Sequence, residues 1–522
     1  MKSEKVFAEV AVVLAIFTAT LLATSTRATA QQEFVLHSFN VGGTDGFEPS
    51  GNVVVAGPHL YGTTPPGGTN SRGTVFELAA TRGVWSETVP HPFDFNGTDG
   101  GSPSGLFLHA GKLYGTTQGG STFEGTVFEL TYTAGIGWTQ TFSYSFGSNP
   151  LVPLDGQGPS SGLVFVGSNI YGTTAYGGSN VNCGSSSAPV GCGTVFELTP
   201  ATGGGWTESV VYNFGSGTDG RLPVGIVFRG GNLYGATQNG GAFGEGMVFK
   251  LNLRTLLETD LHDFPPNDGT STDGAVPNFG VVVDPVTGNL YGTTSQGGTH
   301  NYGIAFEVTY DKAKAIWTET QLFDFDNTGP DGAIPYGLIL DKSGNLYGTT
   351  LEGGSNNAGV AFELSPGTPW TETILYTFCS VSTACPDGSF PSSGLTFDTN
   401  YNVYGVTQQG GANGWGTVFQ IILHSFELSA SPGSLTIVQG SSGASMISVG
   451  STNGFTGAVS LAASGLPKGV TASFSARKTS STSTLTLTAS ATAKIVTGAT
   501  VTITGTAGTL VQTTTINLTV SP

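Results

Sequence analysis

Residues 288–308 read GNLYGTTSQGGTHNYGIAFEV, glycine-rich turns set around two short runs of Leu, Tyr, Thr, Ile, Phe and Val. Short runs of that composition, bounded by Gly, are strand signals. The stretch recurs. Tyr61, Tyr114, Tyr171, Tyr234, Tyr291, Tyr347 and Tyr404 each stand in Tyr-Gly-x-Thr, followed by a Gly-Gly pair and then Gly-x-x-Phe. The tyrosines are 53, 57, 63, 57, 56 and 57 residues apart, a period that marks propellers and other repeat arrays.

Each unit divides into four runs, which in the fifth are NFGVVVD, NLYGTTS, GIAFEVTY and IWTETQLFDF. Four antiparallel strands repeated seven times predict an all-β chain with a seven-bladed β-propeller over residues 31–426, an architecture that leaves only short, protected sheet edges. A parallel β-helix is the alternative, and its repeats are usually much shorter. The phase adds a sharper expectation. EFVLHSF at 33–39 matches the fourth run ETILYTF at 372–378, whereas the seventh unit stops after its third run, GTVFQII. Residues 33–39 are therefore predicted to supply the outer strand of the last blade. Residues 427–522 differ in kind: Asp is absent, and alternating runs such as SLTIVQG, STLTLTAS and TTTINLTV predict an Ig-like β-sandwich.

Composition agrees with a packed, turn-rich β protein. Of 522 residues 81 are Gly and only 10% are charged, but 38% are hydrophobic and 10% aromatic. Lys2 and Lys5, the apolar run 10–23 and Ala28-Thr29-Ala30 read as a signal peptide over residues 1–30. A non-cleaved anchor is the alternative, but the apolar run is shorter than the ~20 residues of a spanning helix. The mature chain is expected to have no membrane span. Net charge is −18, and the last domain is basic, with Lys468, Arg477, Lys478 and Lys494 against Glu427. The acidic body disfavours nucleic acid and anionic lipid as partners. In an exported chain Cys183–Cys192 and Cys379–Cys385 are the expected local disulfides, and no nearby His supports zinc at them.

With those motifs in hand, Leu-Tyr-Gly-Thr-Thr, Gly-Gly and Gly-Thr-Val-Phe-Glu-Leu, clearest at 113–130 and 170–198, resemble the GloVer tandem repeat of exported bacterial proteins with varied C-terminal anchors. The resemblance covers about residues 34–423. It implies secretion and a propeller-type array, and brings no established activity. The C-terminal segment resembles bacterial Ig-like modules, and GLILDKSGNLYGTT at 337–350 is more weakly similar to NHL-type propeller repeats.

Chemistry has two candidate locations. Asp-Gly-x-x-Pro links each fourth run to the next first run, at Asp45, Asp99, Asp155, Asp219, Asp273, Asp331 and Asp387. A ring of carboxylates suits calcium or sugar hydroxyls. The structural alternative is a turn in which Asp caps, Gly takes positive φ and Pro starts the next strand. A feature shared by all seven units favours the turn, and no other cofactor is expected. The second location is the loop before Gly-x-x-Phe, which should emerge on the same face. There the residue before Gly varies: Arg72, Glu124, Cys192, Glu245, Tyr302, Ala358, Trp415. Trp415 is off-pattern, because Trp85, Trp138, Trp206, Trp317 and Trp370 all begin fourth runs. Trp415, Tyr302, Tyr176 and Phe243 are the aromatic ligand candidates, with Glu124 and Glu245 as carboxylates beside them. Packing at the rim is the competing role for Trp415.

The seven His residues show no metal-ligand spacing and no Gly-x-Ser-x-Gly nucleophile elbow occurs, so no catalytic residue is assigned. The favoured expectation is a secreted or surface-exposed monomeric binding protein whose partner is a polysaccharide or surface protein. A carbohydrate-active hydrolase or lyase on the loop face, and a structural surface protein, are the alternatives.

Overall fold

The computed structural model describes residues 32–522 apart from 43, 82, 95–98, 120–123, 148–154, 161, 181–182, 184–190, 270, 424, 453–454, 456 and 508–509. The signal peptide expected at residues 1–30 lies outside them. The described chain is all-β, and no helix in it is long and apolar enough to cross a membrane.

The four-run reading corresponds to antiparallel sheets in chain order. In the second unit Gly101–His109, Lys112–Gly119, Thr126–Thr133 and Gly137–Ser145 lie side by side in that order. The first run is the least regular and is split in later units, as at Gly332–Pro335 and Ile339–Leu340. Pro335 lacks a donor for the ladder, and Ile334 before it has φ 59. In the seventh unit Val403–Gln409 pairs with Thr417–Ile422, and the place of the fourth strand beside Thr417–Ile422 is taken by Gln32–Ser38. Glu33 opposes Ile421 and Val35 opposes Phe419, which is the strand exchange that the phase of the repeat predicts.

The repeat motif is largely a set of contacts that recur at every junction between units. In each unit the Gly of Tyr-Gly-x-Thr faces the Phe of Gly-x-x-Phe across the strand pair, as Gly115 faces Phe128. A Cβ on Gly115 would stand 2.4 Å from the Phe128 ring, and the other six equivalent glycines meet their phenylalanines at 2.3–2.7 Å. The ring that fills this space is fully buried and meets a second Phe at the end of the previous fourth run, edge-on. Phe93 and Phe128 have centroids 5.1 Å apart, and Phe39 and Phe76 have the same separation across the seam between the last unit and the first. Edge-on aromatic pairs of this kind add to area burial in stabilising a junction.

The second Gly and the Pro also meet between units. A Cβ on Gly125, whose φ is +94°, would stand 2.4 Å from Pro159 of the next unit, and one on Gly416 would stand 2.6 Å from Pro49 at the seam. Beside this contact the residue ahead of Pro donates its N–H to the carbonyl of the variable residue. Ser102 N bonds Arg72 O at 2.8 Å, and at the seam Glu48 N bonds Trp415 O at 3.0 Å. The backbone of the variable residue is thus committed to the neighbouring unit whatever its side chain, so the position accommodates Arg, Glu, Cys, Tyr, Ala and Trp.

Strands from Ser425 onward form two further sheets, 425–431, 442–452, 482–489 and 470–474 in one, and 434–438, 510–521, 496–507, 459–464 and 478–479 in the other. Their alternating apolar positions, among them Phe426, Ile447, Leu485, Leu487, Val501, Ile503 and Leu518, make one core. Both expected disulfides are present, Cys183–Cys192 and Cys379–Cys385.

Candidate functional site

In an antiparallel meander the connections from second to third strand and from fourth to the next first strand leave from the same end of the sheet. The Asp-Gly turns and the Gly-Gly loops therefore share one face. On it each of these aspartates is engaged locally. Asp155 accepts from Tyr144 OH at 2.9 Å and Gly147 N at 2.8 Å. Asp219 accepts from Tyr212 OH and Gly215 N, both at 3.0 Å, and from Gly220 N at 2.7 Å. Asp387 accepts from Tyr376 OH at 2.8 Å and Ser380 N at 2.7 Å. Asp331 accepts from Asp326 N and Gly332 N. At Asp45, Asp99 and Asp273 a histidine replaces the tyrosine, His37 at 3.3 Å, His91 at 2.7 Å and His262 at 2.9 Å. The seven carboxylates serve seven separate turns, in keeping with the capping role. Among the described residues no metal-competent group of His, Cys, Asp and Glu includes two of them.

The sequence reading missed what lies across each junction. Next to six of these aspartates the fourth strand of the following unit contributes an acid: Glu87, Glu208, Glu258, Glu319, Glu372 and, from the first strand of the chain, Glu33. One carboxyl oxygen of each is buried without a hydrogen-bond partner. Burial, reinforced by a neighbouring aspartate, pushes these carboxyls up, Glu87 and Glu319 to about 7, Glu33, Glu208 and Glu258 to about 8 and Glu372 to about 9. The second junction carries Gln140 instead, whose Nε2 is also buried without a partner. There burial alone would raise Asp99, but hydrogen bonds from His91 and Asp94 N outweigh it and hold the carboxyl below its ordinary value. Burial lowers His37, outweighing the opposing hydrogen bond and charge of Asp45. The signal was legible as a Glu or Gln two residues after the Trp in five units, but only its pairing with the preceding unit gives it meaning.

The ligand candidates are spread over different junctions and do not converge. Trp415 is half-buried, edge-on to Phe47 with centroids 5.1 Å apart, at the seam. Tyr302 is 37% exposed at the junction of the fifth and sixth units. Glu124 accepts from Gln157 Nε2 at 3.0 Å between the second and third units, and the Glu245 carbonyl bonds Val276 N between the fourth and fifth. Tyr176 and Phe243 are 43% and 55% exposed. Tyr176 lines a cleft of about 330 Å³ between the third and fourth units, and Phe243 is next to its lining residue Gly244. Asp219, Arg221, Leu222, Asn239 and Cys183 complete most of the cleft wall. Arg221 and Asn239 are cross-strand partners, and Arg221 Nε is buried without a hydrogen-bond partner.

Cys183 and Gly191, from the disulfide-closed insertion that lengthens the third unit between its second and third strands, line this cleft. A larger groove of about 730 Å³ lies at the opposite end of the fifth to seventh units, among Val283, Leu340, Phe397 and Tyr401. Its carboxylates Asp341 and Asp398 are already used, accepting from Ser343 N and Asn400 N at 2.7 Å each. The smaller cleft therefore combines an accessible aromatic ring with uncommitted polar groups.

The family model described as Gloeobacter/Verrucomicrobia repeat matches residues 20–186 and 183–419. No curated protein matches the sequence. Among solved structures, a hypothetical selenium-binding protein from Sulfolobus tokodaii is 9% identical, with 78% of this chain and 90% of that chain covered and a TM-score of 0.45. Domains 4 and 5 of the S-layer protein SbsC are 13% identical over 46% of this chain and 92% of that chain, with a TM-score of 0.14.

Proposed function

The chain belongs to the Gloeobacter/Verrucomicrobia repeat family, and from that premise we propose an exported seven-bladed β-propeller, residues 31–426, with an Ig-like β-sandwich, residues 427–522, that binds carbohydrate in the cleft between its third and fourth blades. Seven junctions with the same Phe–Phe and Gly–Pro contacts, the last of them joining Gly416 to Pro49, support the closed propeller. Two disulfides support an oxidising, extracytoplasmic location.

The observation that carries the binding reading is the departure from sevenfold repetition at this one cleft. Contacts common to all units are accounted for by the junctions, whereas the insertion closed by Cys183–Cys192 adds a wall where Tyr176, Arg221 and Asn239 face one space. A half-exposed aromatic ring stacks on a sugar face, and Arg and Asn donate to its hydroxyls. The hydrolase or lyase alternative has less support. Asp219 is the single carboxylate among the described lining residues, both its oxygens are engaged by the turn, and glycosidic cleavage ordinarily uses a pair.

Thermal-shift screening of residues 31–522 against polysaccharide fragments, followed by calorimetry, tests the assignment. A fragment that binds should lose at least about tenfold in affinity, or about 1.4 kcal/mol, on either Tyr176→Ala or Arg221→Ala, with the melting profile of the protein retained. Unchanged affinity in both variants would place the ligand elsewhere, and no shift with any fragment would remove carbohydrate as the ligand class.

A further inference from the structure

Six of the seven junctions place a donor from the end of one fourth strand beside an Asp-Gly aspartate, and every junction adds an acid or amide from the next fourth strand. The donor is Tyr at three junctions, Phe323 replaces it at one, and His occupies the remaining three. Two of the His junctions also have Glu, which brings three metal-competent side chains together: His37, Asp45 and Glu87 at the seam, and His262, Asp273 and Glu319 between the fourth and fifth units. In each group the ligand atoms lie within 4.8 Å of one another. We propose that these two clusters are divalent transition-metal sites, selective for Zn²⁺-like ions, that cross-link adjacent units of the ring.

Two observations beyond the clustering point to a ligand. Glu87 Oε1 and Glu319 Oε1 are buried and have no hydrogen-bond partner, a state shared by the glutamates of the four junctions that lack His, and where a His completes the donor set such an oxygen is stabilised by coordination. The donor set is also right. One imidazole nitrogen and two carboxylates suit a borderline cation, and bonds of about 2.0–2.2 Å to each would draw the three atoms together by a modest side-chain movement and leave a position for water. His37 Nε2 and Asp45 Oδ2 are already 3.3 Å apart, a ligand-to-ligand spacing, and their side chains are 21% and 13% exposed, so an ion could enter. The third His junction is an internal control. His91 and Asp99 are 2.7 Å apart there, but Gln140 stands in the glutamate's place and removes the second carboxylate.

The placement gives the ions a role. His37 belongs to the strand that completes the last sheet, while Asp45 and Glu87 belong to the first unit. An ion at the seam adds coordinate bonds between the strand that completes the last sheet and the outer strand of the first unit, beside the short connection that runs from His37 to Asp45.

The test is calorimetric titration of chelator-stripped protein with Zn²⁺, repeated with Co²⁺ to read ligand-field absorption. Two ions per chain are expected, with one after Glu87→Gln, one after Glu319→Gln and none in the double variant. The control substitution Asp99→Asn should leave two. Gln already occupies the equivalent place at the second junction, so the folded state should tolerate the glutamate substitutions, and circular dichroism checks that it does. Absence of binding at a dissociation constant below about 100 µM, or an unchanged count in the folded double variant, would overturn the proposal.

Discussion

A chain that begins at Gly42 should have its first thermal transition lowered by at least about 5 °C relative to one that begins at Gln31. The loss follows from what residues 32–39 do. Their backbone completes the sheet ending in Thr417–Ile422, and Phe39, fully buried, packs on Phe76 and donates its N–H to Gly416 O. Removing a buried Phe side chain alone costs about 3–5 kcal/mol. The deletion also exposes the edge of the last sheet and removes the ladder between Gln32–Ser38 and Thr417–Ile422 that joins the two ends of the array. Typical domain stabilities are about 5–15 kcal/mol, so this sum is a large fraction of the whole. Calorimetry is the suitable measurement, because the C-terminal sheets have their own core and can melt separately. Coincident melting of the two chains would show that the strand contributes nothing, as for an ordinary terminus.

The second large effect is on pH. Glu33, Glu208 and Glu258 have carboxyls raised to about 8 and Glu372 to about 9, by burial first and by neighbouring acids second. The folded state therefore holds protons that the unfolded chain, with its glutamates at the ordinary value of 4.5, has already released. Stability is full below about 4.5 and declines as pH rises through the window up to about 9, where the folded protein must ionise as well. Each tenfold tightening of a carboxyl's hold on its proton is worth about 1.4 kcal/mol before screening. These side chains are partly accessible to solvent, so about 1–2 kcal/mol per glutamate is the expected scale. In the presence of EDTA, the melting temperature should be highest near pH 5 and lowest near pH 9. Replacing the four glutamates by Gln, as the protein itself does at Gln140, should flatten the profile and raise stability at pH 9. A profile that rises toward alkaline pH, or one unchanged by the four substitutions, would contradict the protonated junctions.

The seven units and the exchanged first strand were readable because both are properties of order along the chain. EFVLHSF is a fourth run without a preceding third, and GTVFQII is a third run without a following fourth, so their pairing follows from order alone. The same holds for the Asp-Gly turns, where local geometry suffices. The candidate site was less legible because its parts are separated by whole units. His262, Asp273 and Glu319 meet across a junction although the Glu lies in the next repeat, and spacing rules for metals look for ligands on one local element. Trp415 shows the converse case. It stands out in its own loop, but its partner is Phe47, more than 360 residues earlier, and the contact is visible only once the ends are joined. The cleft did leave a trace in the sequence, the 63-residue spacing between Tyr171 and Tyr234. Its meaning depended on Arg221 and Asn239, which come from a strand pair of the following unit.

Closure of the array by the first strand underlies the deletion effect, the seam cluster and the sevenfold junctions together. Hydrogen–deuterium exchange resolved over residues 32–38 tests it directly. If the strand completes the last sheet, its ladder amides should be protected on the same timescale as those of Thr417–Ile422, minutes to hours or longer at neutral pH. Exchange within seconds, with residues 417–422 still protected, would mean that the chain leaves its last sheet one strand short and that the ring is not closed as described.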